Sequence, residues 1–243
     1  MRIDILTLFP AMFAGPLGES MVGRARQNGS LAVYLWDIRE FATDKHRTVD
    51  DTPYGGGPGM VMQIEPLSAC LEHVLAVDGR PPAVLVTSPQ GPRLNHQRVR
   101  EMAALERLVI VCGHYEGIDE RLHELYDTEE FSIGDYVLTG GELPAMVLVD
   151  SVCRFVPGVL GEAESATGDC FSDGLLKYPQ YTRPESFKGL AVPEVLLSGH
   201  HEQIRRWRRR QSLLRTAARR PDLLATVDLT KEDKNMLQEL SGR

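Results

Sequence analysis

The chain has 243 residues, 42% apolar and 25% charged, a composition for one large or two modest packed domains and not for a disordered or fibrous chain. Its net charge of −7 at pH 7, taken alone, argues against a nucleic-acid partner. No apolar run approaches the ~20 residues of a membrane helix, and Cys70, Cys112, Cys153 and Cys170 are too scattered for a disulfide scaffold or a thiolate zinc site, so a cytoplasmic home is expected.

The N-terminal stretch Met1–Pro10 carries Asp4 among apolar residues and no small-residue cleavage site, so it reads as a first strand and not as a signal peptide. From there the pattern predicts strands at Ile3–Leu8, Leu31–Asp37, Ala83–Thr87, Leu108–Cys112 and Glu129–Ile133. Several are continuous apolar runs, as parallel strands buried on both faces require. Helices are predicted between them at Leu17–Gln27, Pro66–Val77, Asn95–Leu105, Asp119–Tyr126 and Glu142–Phe155, with proline in a first turn at Pro66 and Asp119 as a cap. This alternation is the signature of an α/β fold on an open parallel sheet, helices on both faces.

Val156-Pro157-Gly158 ends that pattern, and Gly161 to Gly168 is small and polar. The organisation expected is a domain over 1–160, a flexible linker over 161–175 and a small helical domain over 176–243. In the last of these, Tyr178–Pro184 is too rich in proline for a regular element. A helix is predicted from His200 to Arg220, with Ile204, Trp207, Leu214 and Ala218 on one stripe, and a short one from Lys231 to Leu240 after Thr230 as cap. Arg205–Arg220 holds eight arginines and no acid; the other 19 bases then face 34 acids, a remainder of −15. A polyanion-binding helix on an acidic body is one reading, because the arginine fork matches phosphate oxygens; a solvated face is the other.

Two glycine-bearing turns follow apolar runs: Gly113-His114-Tyr115-Glu116-Gly117-Ile118-Asp119 after Leu108–Cys112, and Gly134-Asp135-Tyr136-Val137-Leu138-Thr139-Gly140-Gly141-Glu142-Leu143-Pro144 after Phe131–Ile133. At one edge of a sheet they would wall a site for a flat heterocycle read by main chain; ordinary strand-to-helix turns are the alternative. Pro53–Met60 is glycine-rich but has neither a phosphate-loop lysine nor the G-x-G-x-x-G spacing of a dinucleotide turn, and there is no H-E-x-x-H or G-x-S-x-G. Asp169 just past the polar segment suits a base on a tether or a turn cap. Arg154 near the end of its helix and Glu116 in the first glycine turn are not distinguished by spacing.

Taken together, Asp50–Met60, Ser88-Pro89-Gln90-Gly91, Gly113–Arg121, Ser132–Pro144, Arg154–Gly161 and Tyr178–Pro184 closely resemble the bacterial tRNA (guanine-N1)-methyltransferases, of the SPOUT superfamily. The resemblance implies a deep trefoil knot around the cofactor loops, a feature periodicity does not reveal. It implies S-adenosylmethionine at Ser88, Pro89, Gly113, Glu116, Ile133, Gly134, Asp135, Tyr136, Val137, Leu138, Gly140, Gly141 and Pro144. Asp169 matches the family's general base and Arg154 the cation at the guanine O6. A homodimer sharing its active site between subunits, Mg²⁺ with Glu116 as the nearby residue, and a tRNA-binding C-terminal domain are also implied. The substrate implied is the guanine immediately 3′ of the anticodon, position 37. A non-catalytic RNA-binding module and another nucleotide-dependent enzyme on a parallel sheet are the rival readings.

Overall fold

The computed structural model describes residues 1–159 and 168–241. The chain divides into two compact units, Met1–Gly161 and Glu162–Arg243. In the first, a five-stranded sheet is built from β1 (Arg2–Thr7), β2 (Ala32–Asp37), β5 (Ala83–Thr87), β6 (Arg107–Cys112) and β7 (Thr128–Phe131). Two short strands, β3 (Asp50–Asp51) and β4 (Val61–Met62), form a separate antiparallel pair. The five strands run in the order β2-β1-β6-β5-β7, and every neighbouring pair is parallel.

Side chains alternate across this sheet, and both faces are covered. Ile3, Ile5, Leu85, Leu108, Ile110 and Cys112 share one core with the helices α1 (Ala14–Gly18), α2 (Ser20–Gln27), α4 (His96–Ala103) and α6 (Glu142–Cys153). Leu6, Val84, Val86, Val109 and Val111 share the other with α3 (Ile64–Val77) and α5 (Arg121–Leu125). The continuous apolar runs of the sequence thus do what two-sided burial demands.

Element boundaries depart from the sequence expectation in two instructive places. The predicted helix Leu17–Gln27 is two helices, because Glu19 adopts an extended backbone between them (φ −113°, ψ 168°). Gly23 of α2 then packs directly on the Gly18 carbonyl. The predicted strand Glu129–Ile133 ends at Phe131, since Ser132 instead closes a turn in which the Gly134 N–H donates to its Oγ at 3.1 Å.

At the amino edge of the sheet lies a buried charge network that the sequence hid. The Arg107 side chain is fully buried and donates from Nε to Asp4 Oδ2 at 3.1 Å and from Nη1 to the Asp78 carbonyl at 2.6 Å. Arg2 donates to both oxygens of Asp4, at 2.7 and 2.8 Å, and Trp36 Nε1 donates at 3.0 Å. A carboxylate out of water is tolerable only when its lone pairs are met in this way.

The second unit packs α8 (His201–Arg219), α9 (Pro221–Leu224) and α10 (Lys231–Ser241) around Leu175, Leu213 and Met236. It also contains a small hairpin, β8 (Ser186–Phe187) and β9 (Leu190–Ala191), followed by α7 (Glu194–Leu197). Thr230 and Asp233 form a capping box at the start of α10: the Asp233 N–H donates to Thr230 Oγ1 at 3.1 Å and the Thr230 N–H to Asp233 Oδ2 at 3.0 Å. Residues 160–167, which include the first seven residues of the predicted linker, lie outside the described residues. The later part of that stretch is packed, because Leu175 is buried in the helical core and the Leu176 N–H donates to Thr216 Oγ1 at 2.9 Å.

Candidate active site

The loops that follow β5, β6 and β7 all emerge at the carboxyl edge of the sheet, where open α/β sheets bind ligands. They enclose a cavity of about 500 Å³. Ser88 and Pro89 come from the first loop, Gly113 and Glu116 from the second. Ile133, Gly134, Tyr136, Val137, Leu138, Gly140 and Gly141 come from the third, and Pro144 from the first turn of α6. Asp135 does not line the cavity; its carboxylate is solvent-facing and accepts from Arg93 Nη1 at 3.3 Å.

Two passes of chain set this geometry. The Gly141 N–H donates to the Gly113 carbonyl at 2.7 Å, which ties the third loop to the end of β6. A Cβ at Gly141 would overlap Thr87 Oγ1 and sit 2.8 Å from both Cys112 Cα and the Gly113 nitrogen. Its φ of −83° is open to any residue, so space alone requires glycine. Gly91 is the counterpart: a Cβ there would lie 2.6 Å from the Phe131 nitrogen, where the first loop wraps the end of β7. That wrap is fixed by Ser132 N–H to the Pro92 carbonyl at 3.1 Å and Leu94 N–H to the Ser132 carbonyl at 2.8 Å.

Side chains that sequence reasoning missed line the cavity, as Thr87 and His114 do, or lie buried beside the loop that does, as Glu142 does. Thr87 Oγ1 accepts from the Gly113 N–H at 3.0 Å. Glu142, nearly fully buried, accepts from Thr7 Oγ1 at 2.8 Å. His114 lines the cavity with its ring between Phe9 and Tyr115, centroids 4.9 and 4.8 Å away, and its buried Nδ1 has no hydrogen-bond partner. The signal for Thr87 and Glu142 is their place at the carboxyl end of a strand and the amino end of a helix, which only the sheet order makes neighbours. Burial, with Glu142 nearby, pushes the Cys112 thiol well above its ordinary range; it stays protonated and is no nucleophile.

The glycine-rich segment Pro53–Met60 packs on the second loop. Gly59 lies against the Glu116 carboxyl group, and the Glu116 N–H donates to the Met60 carbonyl at 2.9 Å. Among the described residues no three His, Cys, Asp or Glu side chains converge to hold a metal ion. Arg154 caps the carboxyl end of α6 in the first unit. Asp169 belongs to the second, where Oδ1 accepts from Lys177 Nζ at 2.9 Å.

Comparison with known proteins decides the family. The family model described as tRNA (Guanine-1)-methyltransferase TrmD matches residues 1–226. The chain belongs to that family. A tRNA (guanine-N(1)-)-methyltransferase of Geotalea uraniireducens (strain Rf4) is 60% identical over 241 residues, 99% of this chain and 97% of that protein. Proteins of the same name from Moorella thermoacetica and Chloroflexus aurantiacus are 59% and 58% identical, each across the whole of this chain and 98% and 97% of theirs. As a tRNA (guanine-1)-methyltransferase family member, the chain places the family's glycine-bearing motifs at the lip of one cavity, with side-chain-free backbone on two of its walls.

Proposed function

We propose that this chain transfers a methyl group from S-adenosylmethionine to N1 of the guanine immediately 3′ of the anticodon in tRNA. The observation that carries the reading is the carboxyl-edge cavity, lined by Gly113, Gly134, Gly140 and Gly141 together with Ser88, Pro89 and Ile133. A Cβ at Gly140 would fall 2.5 Å from Glu142 Oε2 and from His114 Nδ1, so this part of the wall admits no side chain, and the donor is taken to lie against it. Ile133, Gly134, Leu138, Gly140 and Gly141 hold its adenine side through main chain, with Ser88, Pro89, Tyr136, Val137 and Pro144 around them. Bound there, S-adenosylmethionine supplies an electrophilic methyl group. The knotted path of the family accounts for the two tight chain crossings at Gly91 and Gly141.

Guanine N1 carries a proton and becomes nucleophilic as that proton leaves. The Asp169 carboxylate accepts it, a contribution of typically 10²–10⁴-fold. Negative charge then grows on O6, and the Arg154 guanidinium offsets it. Lys177 Nζ donates to one oxygen of the Asp169 carboxylate, Oδ1, at 2.9 Å. Holding N1 in line with the methyl carbon supplies the proximity contribution.

The enzyme works as a homodimer that shares its active site, in the cytoplasm. Leu143 and Val147, one turn apart on α6, are exposed apolar side chains, as is Val137, and a second subunit would cover such side chains. Mg²⁺, if used, is held by Glu116 with water and substrate oxygens, because one or two carboxylates suffice for that ion. The test is incubation with labelled S-adenosylmethionine and a tRNA transcript carrying guanine or adenine at the site. Label incorporated only with guanine is the expected result; equal or absent label with both overturns the assignment.

A further inference from the structure

The second unit has a cavity of its own, about 540 Å³, that the methyl-transfer reading leaves unused. One wall is Tyr178–Arg183, the proline-rich segment without regular structure; the other is formed by Leu196 and Leu197 of α7 and by Ile204 and Arg208, one turn apart on α8. The Arg208 guanidinium lies over the Tyr178 ring, 4.9 Å from its centroid, which holds the fork still while leaving its N–H edge free. Tyr181 is half exposed, with its ring 6.4 Å from that of Trp207. Gln180, Thr182 and Glu185 add hydrogen-bonding groups to the rim.

Arg208 differs from three of the arginines around it on the helix. Arg205, Arg206 and Arg209 are held by Glu202, Glu232 and the pair Asp173 and Asp233. Arg208 has no carboxylate partner among the described residues, yet its plane is fixed. The cavity therefore offers an aromatic platform, one oriented cation and a rim of acceptors and donors. Apolar walls with an unpaired fork suit a flat, hydrogen-bonding ring that carries a phosphate. Glu185 disfavours a bare anion and accepts from the exocyclic amino group of a base.

We infer that this cavity holds one unstacked nucleotide of the tRNA, its base against Tyr181 and its phosphate on Arg208. The inference rests on the tRNA reading above and adds a second point of RNA contact, away from the methylated guanine. Stacking on a ring is available to every base, so the pocket contributes affinity and orientation more than sequence selection.

The test is titration of a labelled tRNA transcript with the full-length protein, wild type against Tyr181→Ala, Tyr181→Phe and Arg208→Gln. Tyr181→Ala raises Kd roughly 5- to 100-fold, the range for one lost base–aromatic stack, and Tyr181→Phe restores wild-type binding. Arg208→Gln lowers the slope of log Kd against log salt by about one, while Tyr181→Ala leaves the slope unchanged. An abasic scan of the transcript finds one position whose loss weakens wild type and adds nothing to Tyr181→Ala. Wild-type Kd in a folded Tyr181→Ala, or an abasic scan in which every position is additive with it, overturns the pocket while leaving methylation of the transcript intact. A wild-type protein that neither binds nor methylates the transcript overturns the tRNA reading instead.

Discussion

Arg209 grips Asp233 with both arms of its fork, Nε to Oδ1 and Nη2 to Oδ2, each at 2.8 Å. Asp233 is at the same time the acid of the capping box that opens α10. One arginine of the basic helix is therefore a structural clamp between two helices and not a phosphate ligand. The replacement Arg209→Gln is expected to cost about 2–3 kcal/mol, the scale of a charge-assisted bidentate bond whose acid stays buried. Thermal unfolding measures it; an unchanged Tm would remove the clamp.

The same pair sets a pH dependence. Hydrogen bonds from Arg209 and from Thr230 hold the Asp233 carboxyl at about 2, below the ~3.9 of a free aspartate. The folded value is the lower one, so the stabilisation is complete above about pH 4 and fades as pH falls toward 2. Acid unfolding followed by circular dichroism should begin at higher pH in wild type than the midpoint of that window, while Asp233→Asn, already destabilised at neutral pH, should lose less across it. Parallel curves for both proteins would contradict the assignment.

Arg210 and Arg215 carry no ion pair among the described residues, in contrast to Arg205, Arg206, Arg209 and Arg220, which are each held by an acid from outside the arginine-rich run. Replacing Arg210 and Arg215 together with glutamine is expected to reduce the salt dependence of tRNA binding by up to two in log–log slope. An unaltered slope would place these two away from the RNA.

Gly141→Ala is expected to abolish high-affinity donor binding and to lower Tm, because the new methyl group meets Thr87 Oγ1 and the β6 backbone and neither is the end of a flexible chain. Calorimetry with S-adenosylmethionine and a melting curve together report it. Normal affinity in this variant would mean that the loop is free to retreat.

Asp169→Asn keeps the shape of the carboxylate and removes the basicity. The expected outcome is a 10²–10⁴-fold loss in kcat/KM with donor affinity unchanged. Turnover near that of wild type would take Asp169 out of the proton transfer.

The strands of the sheet were legible because Leu108–Cys112 and Ala83–Val86 are apolar at every position, and burial on both faces leaves little else for such runs to do. The glycine turns were legible as turns that follow two apolar strands. Their shared edge was not, since nothing local says that β6 inserts between β1 and β5. Nothing local marks Arg107 as buried, since its partner Asp4 is far away in sequence. The basic helix misled in part for the same reason: its compensating acids, Asp173, Glu232 and Asp233, lie outside the window in which charge was counted.

Gly113, Gly117, Gly134, Gly140 and Gly141 all line the carboxyl-edge cavity. A small molecule that competes there would meet main chain at these positions, and a single codon change has few ways to alter such contacts. Escape would have to come through bending of the loops themselves, at positions like Gly91 and Gly141 where the path has no slack.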